Sequence, residues 1–458
     1  MAVLVALVAI APGAALAQAY GVAFTTAVTY QNVGDSPAEI VALFYDSPSD
    51  TSPIEIDLDP LNPNASTSQY VGGLSQIADG FQGSVVLQSS EPLLATMVQL
   101  PQGSATVKNR PLHNGFSEGG SQVLIGTVLK DYYSTTSVFS IQNADSTSTD
   151  LTLRFYNTSA VEVYSESQTV EPGAAYYFDA GQAAGLGSTF NGSAVIESTG
   201  EAIVGGNMEL STNTGGTACS AFEGVAQGAQ KYYMPSALCQ AWGANTSYAV
   251  QNTNLVDETD VTVTYSNGVT DMKTIGPGAK QSFVACNASG MTAGFSGSAV
   301  VESADTDVIA IGKAYGSGLS TAFIGASSGA AKVALPYVRW AKTVDYDAGN
   351  GQRTFLTIQN VGDDDLDAGD VTVKYIKFDG VAQGTTHSLP AIPSGGKKNS
   401  NASDAGLDEF GIYGSSYGGG AIIECSAPGC ELAVVARVST QVSPGSYASE
   451  DYNGMPVE

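Results

Sequence analysis

Residues able to do acid–base or metal chemistry are few in this 458-residue chain. Histidine occurs only as His113 and His387, too sparse for a Ser-His-Asp triad or a histidine metal cluster. No HExxH, GxxxxGK[ST] or paired CxxC occurs. Paired carboxylates for glycoside hydrolysis are the one catalytic arrangement that 44 acidic residues could supply. None stands at a distinctive position, so no enzyme is expected. The densest oxygen donors are in GDDDLDAGD, residues 362–370. There Asp363, Asp365, Asp367 and Asp370 could gather the roughly six to eight oxygens that Ca²⁺ takes, with Asp345, Asp347 and Asn350 nearby. The segment lacks the DxDxDG spacing of a calcium loop, and a solvated acidic turn is the competing reading. No other cofactor is expected.

Five cysteines fit an oxidising compartment, with one thiol left over. Cys425 and Cys430 flank SAPG at the tip of a predicted hairpin, within bridging distance. Cys239 follows one strand and Cys286 ends a later one. Counting strand reversals puts both at the same end, which favours a second bridge and leaves Cys219 free or intermolecular. A formal charge of −27 argues against nucleic acid and anionic lipid surfaces as partners. After the N-terminus no run approaches the ~20 apolar residues of a membrane helix.

The elements that would position these residues are strands. Val261, Val263 and Tyr265 alternate with Thr262 and Thr264, and Leu151, Leu153 and Phe155 repeat the period of two. Pro172-Gly173 and Pro277-Gly278 suit type II turns. The whole pattern recurs. Gln-Asn pairs fall at Gln31/Asn32, Gln142/Asn143, Gln251/Asn252 and Gln359/Asn360, at intervals of 111, 109 and 108 residues. Each is followed by a hairpin-like stretch that opens on an aromatic-x-Gly step: Phe81-Gly83, Phe190-Gly192, Phe295-Gly297 and Tyr417-Gly419. A period of this length matches a small domain. The fold expected is all-β, four tandem Ig-like antiparallel sandwiches of about seven strands each. They would span 18–121, 122–230, 231–331 and 332–458, joined by exposed linkers in GFSEGGS, GVAQGAQ and GASSGAA. Four copies of one loop pair read as a fold device: Asn would close the turn and Gly would allow close backbone approach. Trp242 and Trp340, each just after a leading strand, are expected to pack at domain junctions.

These units, with a leading LP strand, a VQN strand, a PG turn, a GFxGSAVV stretch and a closing Tyr452-Asn453-Gly454, resemble the tandem β-sandwich repeats of secreted Chloroflexota-type surface proteins. The Gln-Asn strands are also similar to CARDB-like adhesion modules. The resemblance implies a secreted, extracellular or cell-surface protein with a structural or adhesive role. The leading expectation is a non-enzymatic subunit of a filament, sheath or surface layer. The alternative is a cell-surface adhesion or glycan-binding protein. Sequons at Asn64, Asn157, Asn191, Asn245, Asn287 and Asn401 leave surface glycosylation open.

Residues 1–17 read either as a signal peptide ending in Ala15-Leu16-Ala17 or as a retained apolar strand. In repeats 2 to 4 an apolar strand begins 20, 20 and 27 residues before the Gln. The matching stretch of repeat 1 holds Val3, Leu4, Val5, Leu7, Val8 and Ile10. If retained, this strand could fill the groove of its own repeat or, donated to a neighbouring molecule, join repeat 1 to repeat 4 of the next subunit in a head-to-tail polymer.

Overall fold

The computed structural model describes residues 3–7, 23–102, 109–211, 219–412 and 418–457. They are almost entirely strands. Repeat 1 holds β1 (Val3–Leu7), β2 (Phe24–Asn32), β3 (Ala38–Tyr45), β4 (Ile54–Leu61), β5 (Ser66–Tyr70), β6 (Ser84–Ser89), β7 (Leu93–Pro101) and β8 (Leu112–Asn114). Repeat 2 holds β9 (Gln122–Lys130), β10 (Thr135–Asn143), β11 (Thr149–Asn157), β12 (Glu162–Val170), β13 (Ala175–Asp179), β14 (Phe190–Ser198), β15 (Ile203–Ser211) and β16 (Cys219–Glu223). Repeat 3 holds β17 (Lys231–Cys239), β18 (Asn245–Asn252), β19 (Thr259–Tyr265), β20 (Thr270–Ile275), β21 (Lys280–Val284), β22 (Phe295–Ser303), β23 (Val308–Gly316) and β24 (Leu319–Ile324). Repeat 4 opens with β25 (Lys332–Leu335), the short helix α1 (Thr343–Asp347), β26 (Arg353–Asn360) and β27 (Val371–Lys377). It continues with β28 (Ala382–Ser388), β29 (Lys397–Ser400), β30 (Gly419–Cys425), β31 (Leu432–Ser443), β32 (Ser446–Asn453) and β33 (Met455–Pro456).

Every repeat pairs its strands in the same order. One sheet runs first-sixth-third-fourth and the other fifth-second-seventh-eighth, and repeat 4 adds β33 beside β25. All these pairs are antiparallel. Apolar residues on alternate positions meet between the sheets: in repeat 1, Val28, Tyr30, Ile40, Phe44, Val85 and Met97 form one cluster. The layering is that of a β-sandwich, with eight strands per repeat where about seven were expected. The edges depart from an immunoglobulin domain, because the first strand lies beside the sixth and the seventh beside the second. The expected hairpin is likewise an arch. Its two strands, such as β14 and β15, are interior strands of opposite sheets, each already flanked on both sides, so they cannot pair with one another.

β1 takes the first-strand position of its own repeat, with Val3 opposite Ser89 and Leu7 opposite Val85. The donor candidates Val3, Leu4, Val5 and Leu7 therefore complete their own sandwich; Val8 and Ile10 lie outside the described residues.

The repeats close into a ring. The eighth strands β8, β16, β24 and β32 lie against one another in cyclic order, β8 touching both β16 and β32. A second contact layer runs the same way round, from the start of each sixth strand to the turn before the next repeat's fifth strand. Ser84 Oγ donates to Gly173 O and Ser298 Oγ to Gly395 O, each at 2.7 Å. Lys280 Nζ donates to Asn191 Oδ1 at 2.7 Å across the 2–3 junction. Between repeats 4 and 1, Gly420 stands where the others carry Ser, and a Cβ there would lie 3.1 Å from the Gln31 amide. Such front-to-back contacts build an open filament unless the rotation closes, and here four turns close it. The meeting of repeats 1 and 4, expected between subunits, is thus made within one chain.

The linkers are bonded into the repeats they join. Gly120 exchanges hydrogen bonds with Ile203, Val225 with Leu124, Ala326 with Tyr233 and Ala330 with Leu432. Cores cross the repeat boundaries: Val98 and Leu112 join the cluster of repeat 4, and Ala249, Ile311 and Ala322 that of repeat 2. The expected exposed linkers are therefore short ladder segments whose backbone is tied on both sides. Limited proteolysis of the folded protein is expected to leave 115–121, 224–230 and 325–331 intact; early fragments ending in those segments would contradict the ring.

Candidate functional site

The repeated motifs hold the fold. Each Asn of the Gln-Asn pairs is buried, accepts the N–H two residues on and donates to two strand-end regions. Asn143 Oδ1 accepts from Asp145 N while its Nδ2 reaches Thr147 O and Val170 O, and Asn32, Asn252 and Asn360 repeat the arrangement. This is an Asx-turn tied to the opposite sheet. Gln142 Nε2 donates to Gly173 O, and Gln31 and Gln359 make the matching bonds. The aromatic-x-Gly steps are equally structural. Phe81, Phe190 and Phe295 meet Phe44, Phe155 and Tyr265 edge-on, and a Cβ at Gly192 would lie 2.0 Å from Tyr156 O. Tyr417 lies outside the described residues.

Residues singled out for chemistry are scattered. His113 is buried opposite Met97, in the register position held by Phe222, Phe323 and Tyr452 in the other repeats, so it is a core side chain. His387 Nδ1 lies 2.8 Å from Ser400 Oγ in repeat 4. Asp365 accepts Ser394 N from the turn before β29 and Asp370 accepts Asp367 N, which occupies those carboxylates with backbone donors. Among the described residues no three His, Cys, Asp or Glu side chains converge as metal ligands would, so the structure does not bring Asp363, Asp365, Asp367 and Asp370 together. Ser117 and Ser327 sit in GFSEG and GASSG, spacings that match GxSxG and escaped the motif reading. Neither lies on a strand-to-helix elbow; both are in the ladder segments between repeats.

Both predicted disulfides are present, with Cα–Cα distances of 4.9 Å for Cys239–Cys286 and 6.2 Å for Cys425–Cys430. The second spans the arch between β30 and β31 and joins the two sheets. Cys219 is free and buried, and burial pushes its thiol well up, away from the reactive thiolate.

Two polar clusters owe their existence to the ring. On the axis, Asn109 Nδ2 lies 3.0 Å from Cys219 O, 3.1 Å from Ser320 O and 3.2 Å from Ser449 O, carbonyls at matching positions of the other repeats. One layer away, Asn114 donates to Asn453 O, and its N–H to Glu223 Oε1; Asn453 in turn exchanges bonds with Ile324. Beside the axis Asp451 is fully buried and binds Arg437 through Nε at 2.7 Å and Nη2 at 2.6 Å, while accepting Thr321 Oγ1. Burial, with Asp451 alongside, pushes the Glu450 carboxyl far above the usual range.

The second cluster opens to the surface between repeats 3 and 4. A cleft of about 440 Å³ is walled by Leu238, Trp242, Tyr346, Phe355, Lys397 and Tyr447 among others. Trp242 is 77% exposed, held out by a turn in which Gln240, Trp242 and Gly243 have φ of 52°, 51° and 76°. Trp340, by contrast, is 6% exposed beneath Arg353 and edge-on to Phe355. The two tryptophans therefore part company: one is core of repeat 4, and the other is not packed at all.

Fold and site define an all-β, disulfide-bonded protein of repeated sandwiches. The two bridges fit an oxidising compartment, and no helix among the described residues is long and apolar enough to cross a membrane. No family model and no curated protein matches the chain. A solved structure, the crystal structure of Thermotoga maritima 1070, is similar at 17% identity, with a TM-score of 0.19, over 28% of this chain and 97% of that one.

Proposed function

We propose that the protein is a non-enzymatic, extracellular structural protein that serves as a building block of a cell-surface filament, sheath or layer. The observation that carries this reading is the closed ring. The repeated polar motifs, both disulfides and the axial network serve rigidity, and the Gln-Asn pairs that recur in register across repeats are fold devices. Because the contact between repeats 1 and 4 is used internally, assembly proceeds through the outer faces of the ring, without strand exchange. Immunogold labelling and cryo-electron tomography of native cells test this. A regular array carrying the label is expected; protein found only as free rings in the medium would overturn it. A second reading, a surface adhesin that binds glycans, is favoured by one observation: the open, aromatic-walled cleft beside Trp242.

A further inference from the structure

The ring supplies its own control for this cleft. Repeats 3 and 4 each place a lysine opposite the Gln of their Gln-Asn pair: Lys280 faces Gln251 and Lys397 faces Gln359. At the 2–3 junction Lys280 is buried, and its ammonium donates to Asn191 Oδ1, Gly192 O and Thr127 Oγ1 at 2.7, 3.0 and 3.2 Å. The ion pair of Lys313 with Glu209 lies near enough for its charges to act on Lys280. At the 3–4 junction the position of Glu209 is held by Ala314, since Glu209 faces Ser137 where Ala314 faces Thr246 on the matching strand. Arg437, in the place of Lys313, turns to Asp451 of its own repeat. The junction stays open. Lys397 lines it with only Ser296 Oγ and Asn399 Oδ1 within reach, both at 3.4 Å, and among the described residues no carboxylate pairs with it. Burial, with Arg437 as a second cause, holds this ammonium down at about 8.

We propose that this cleft binds a carboxylated sugar, a uronic acid unit of an acidic glycan, with the sugar's C–H face on Trp242 and its carboxylate against Lys397. The proposal rests on the adhesin reading and gives it a site and a ligand class. An exposed indole offers a flat, electron-rich face that suits the polarised C–H bonds of a pyranose. Ser236, Ser296 and Thr357 on the walls provide hydroxyl partners, and the volume is that of a small-ligand site. The ammonium selects an acid over a neutral sugar through a charge-assisted bond. The net charge of −27 disfavours a densely anionic polymer, so the unit recognised is isolated or terminal.

The chain has two tryptophans, and Trp340 is shielded, so acrylamide quenching of the full-length protein reads Trp242. Titration uses a glucuronic acid-terminated disaccharide, its glucose-terminated counterpart and benzoate. The acidic disaccharide is expected to protect Trp242 and to bind at least about ten-fold more tightly than the other two, a factor within reach of one charge-assisted bond. By calorimetry, Trp242→Ala is expected to abolish that binding and Lys397→Gln to remove the preference for the acid. Tyr133→Ala, at the matching turn of repeat 2, leaves binding unchanged. Equal binding of the neutral disaccharide overturns the role of Lys397, and tighter benzoate binding overturns the sugar class. Acidic-disaccharide binding that survives both cleft substitutions overturns the site while leaving the adhesin reading intact. A glycan array that retains nothing on the full-length protein removes both.

Discussion

Asp451→Ala is expected to destabilise the protein by about 3–5 kcal/mol, the range for removing one partner of a buried ion pair. Asp451 is fully buried, accepts from two guanidinium nitrogens of Arg437, Nε and Nη2, and accepts Thr321 Oγ1 from the neighbouring repeat. Without it the Arg437 charge, partly buried at the cleft wall, loses its carboxylate partner, and Thr321 loses its acceptor. Urea denaturation measures the loss. The double substitution Asp451→Ala/Arg437→Met should recover a large part of it, because the uncompensated charge is removed with its partner. A single variant as stable as the parent would mean that solvent in the cleft replaces Asp451 as the partner of Arg437.

Asn109→Leu is expected to cost on the order of 2–4 kcal/mol, since carbonyls at the axis lose a buried donor and apolar bulk takes its place. Its distinguishing consequence is spatial. Asn109 belongs to repeat 1, yet it binds Cys219, Ser320 and Ser449 of the other repeats. Hydrogen exchange should therefore quicken together in 219–223, 319–324 and 446–453. A string of sandwiches without closure would confine the change to repeat 1. Faster exchange there alone, with the distant strands unaffected, would refute the ring.

Much of the molecule was legible in the sequence, and the reason is repetition. Alternation of Val261, Val263 and Tyr265 with threonines dictates a half-buried strand wherever it occurs, because side chains on a strand alternate faces. Four Gln-Asn pairs in one register had to be a turn device, and the short turn between Cys425 and Cys430 brings them within bridging distance. Interactions of this kind lie within a few residues or one repeat. What the chain order alone could not determine was the rotation from one repeat to the next. A front-to-back contact looks the same in sequence whether it closes after four steps or runs on indefinitely. That angle brought β8 against β32 and placed Asn109 on an axis shared by four repeats. The ring also set apart two lysines at matching positions: Lys280 is held by Asn191 and Gly192 of repeat 2, while Lys397 lines an open cleft.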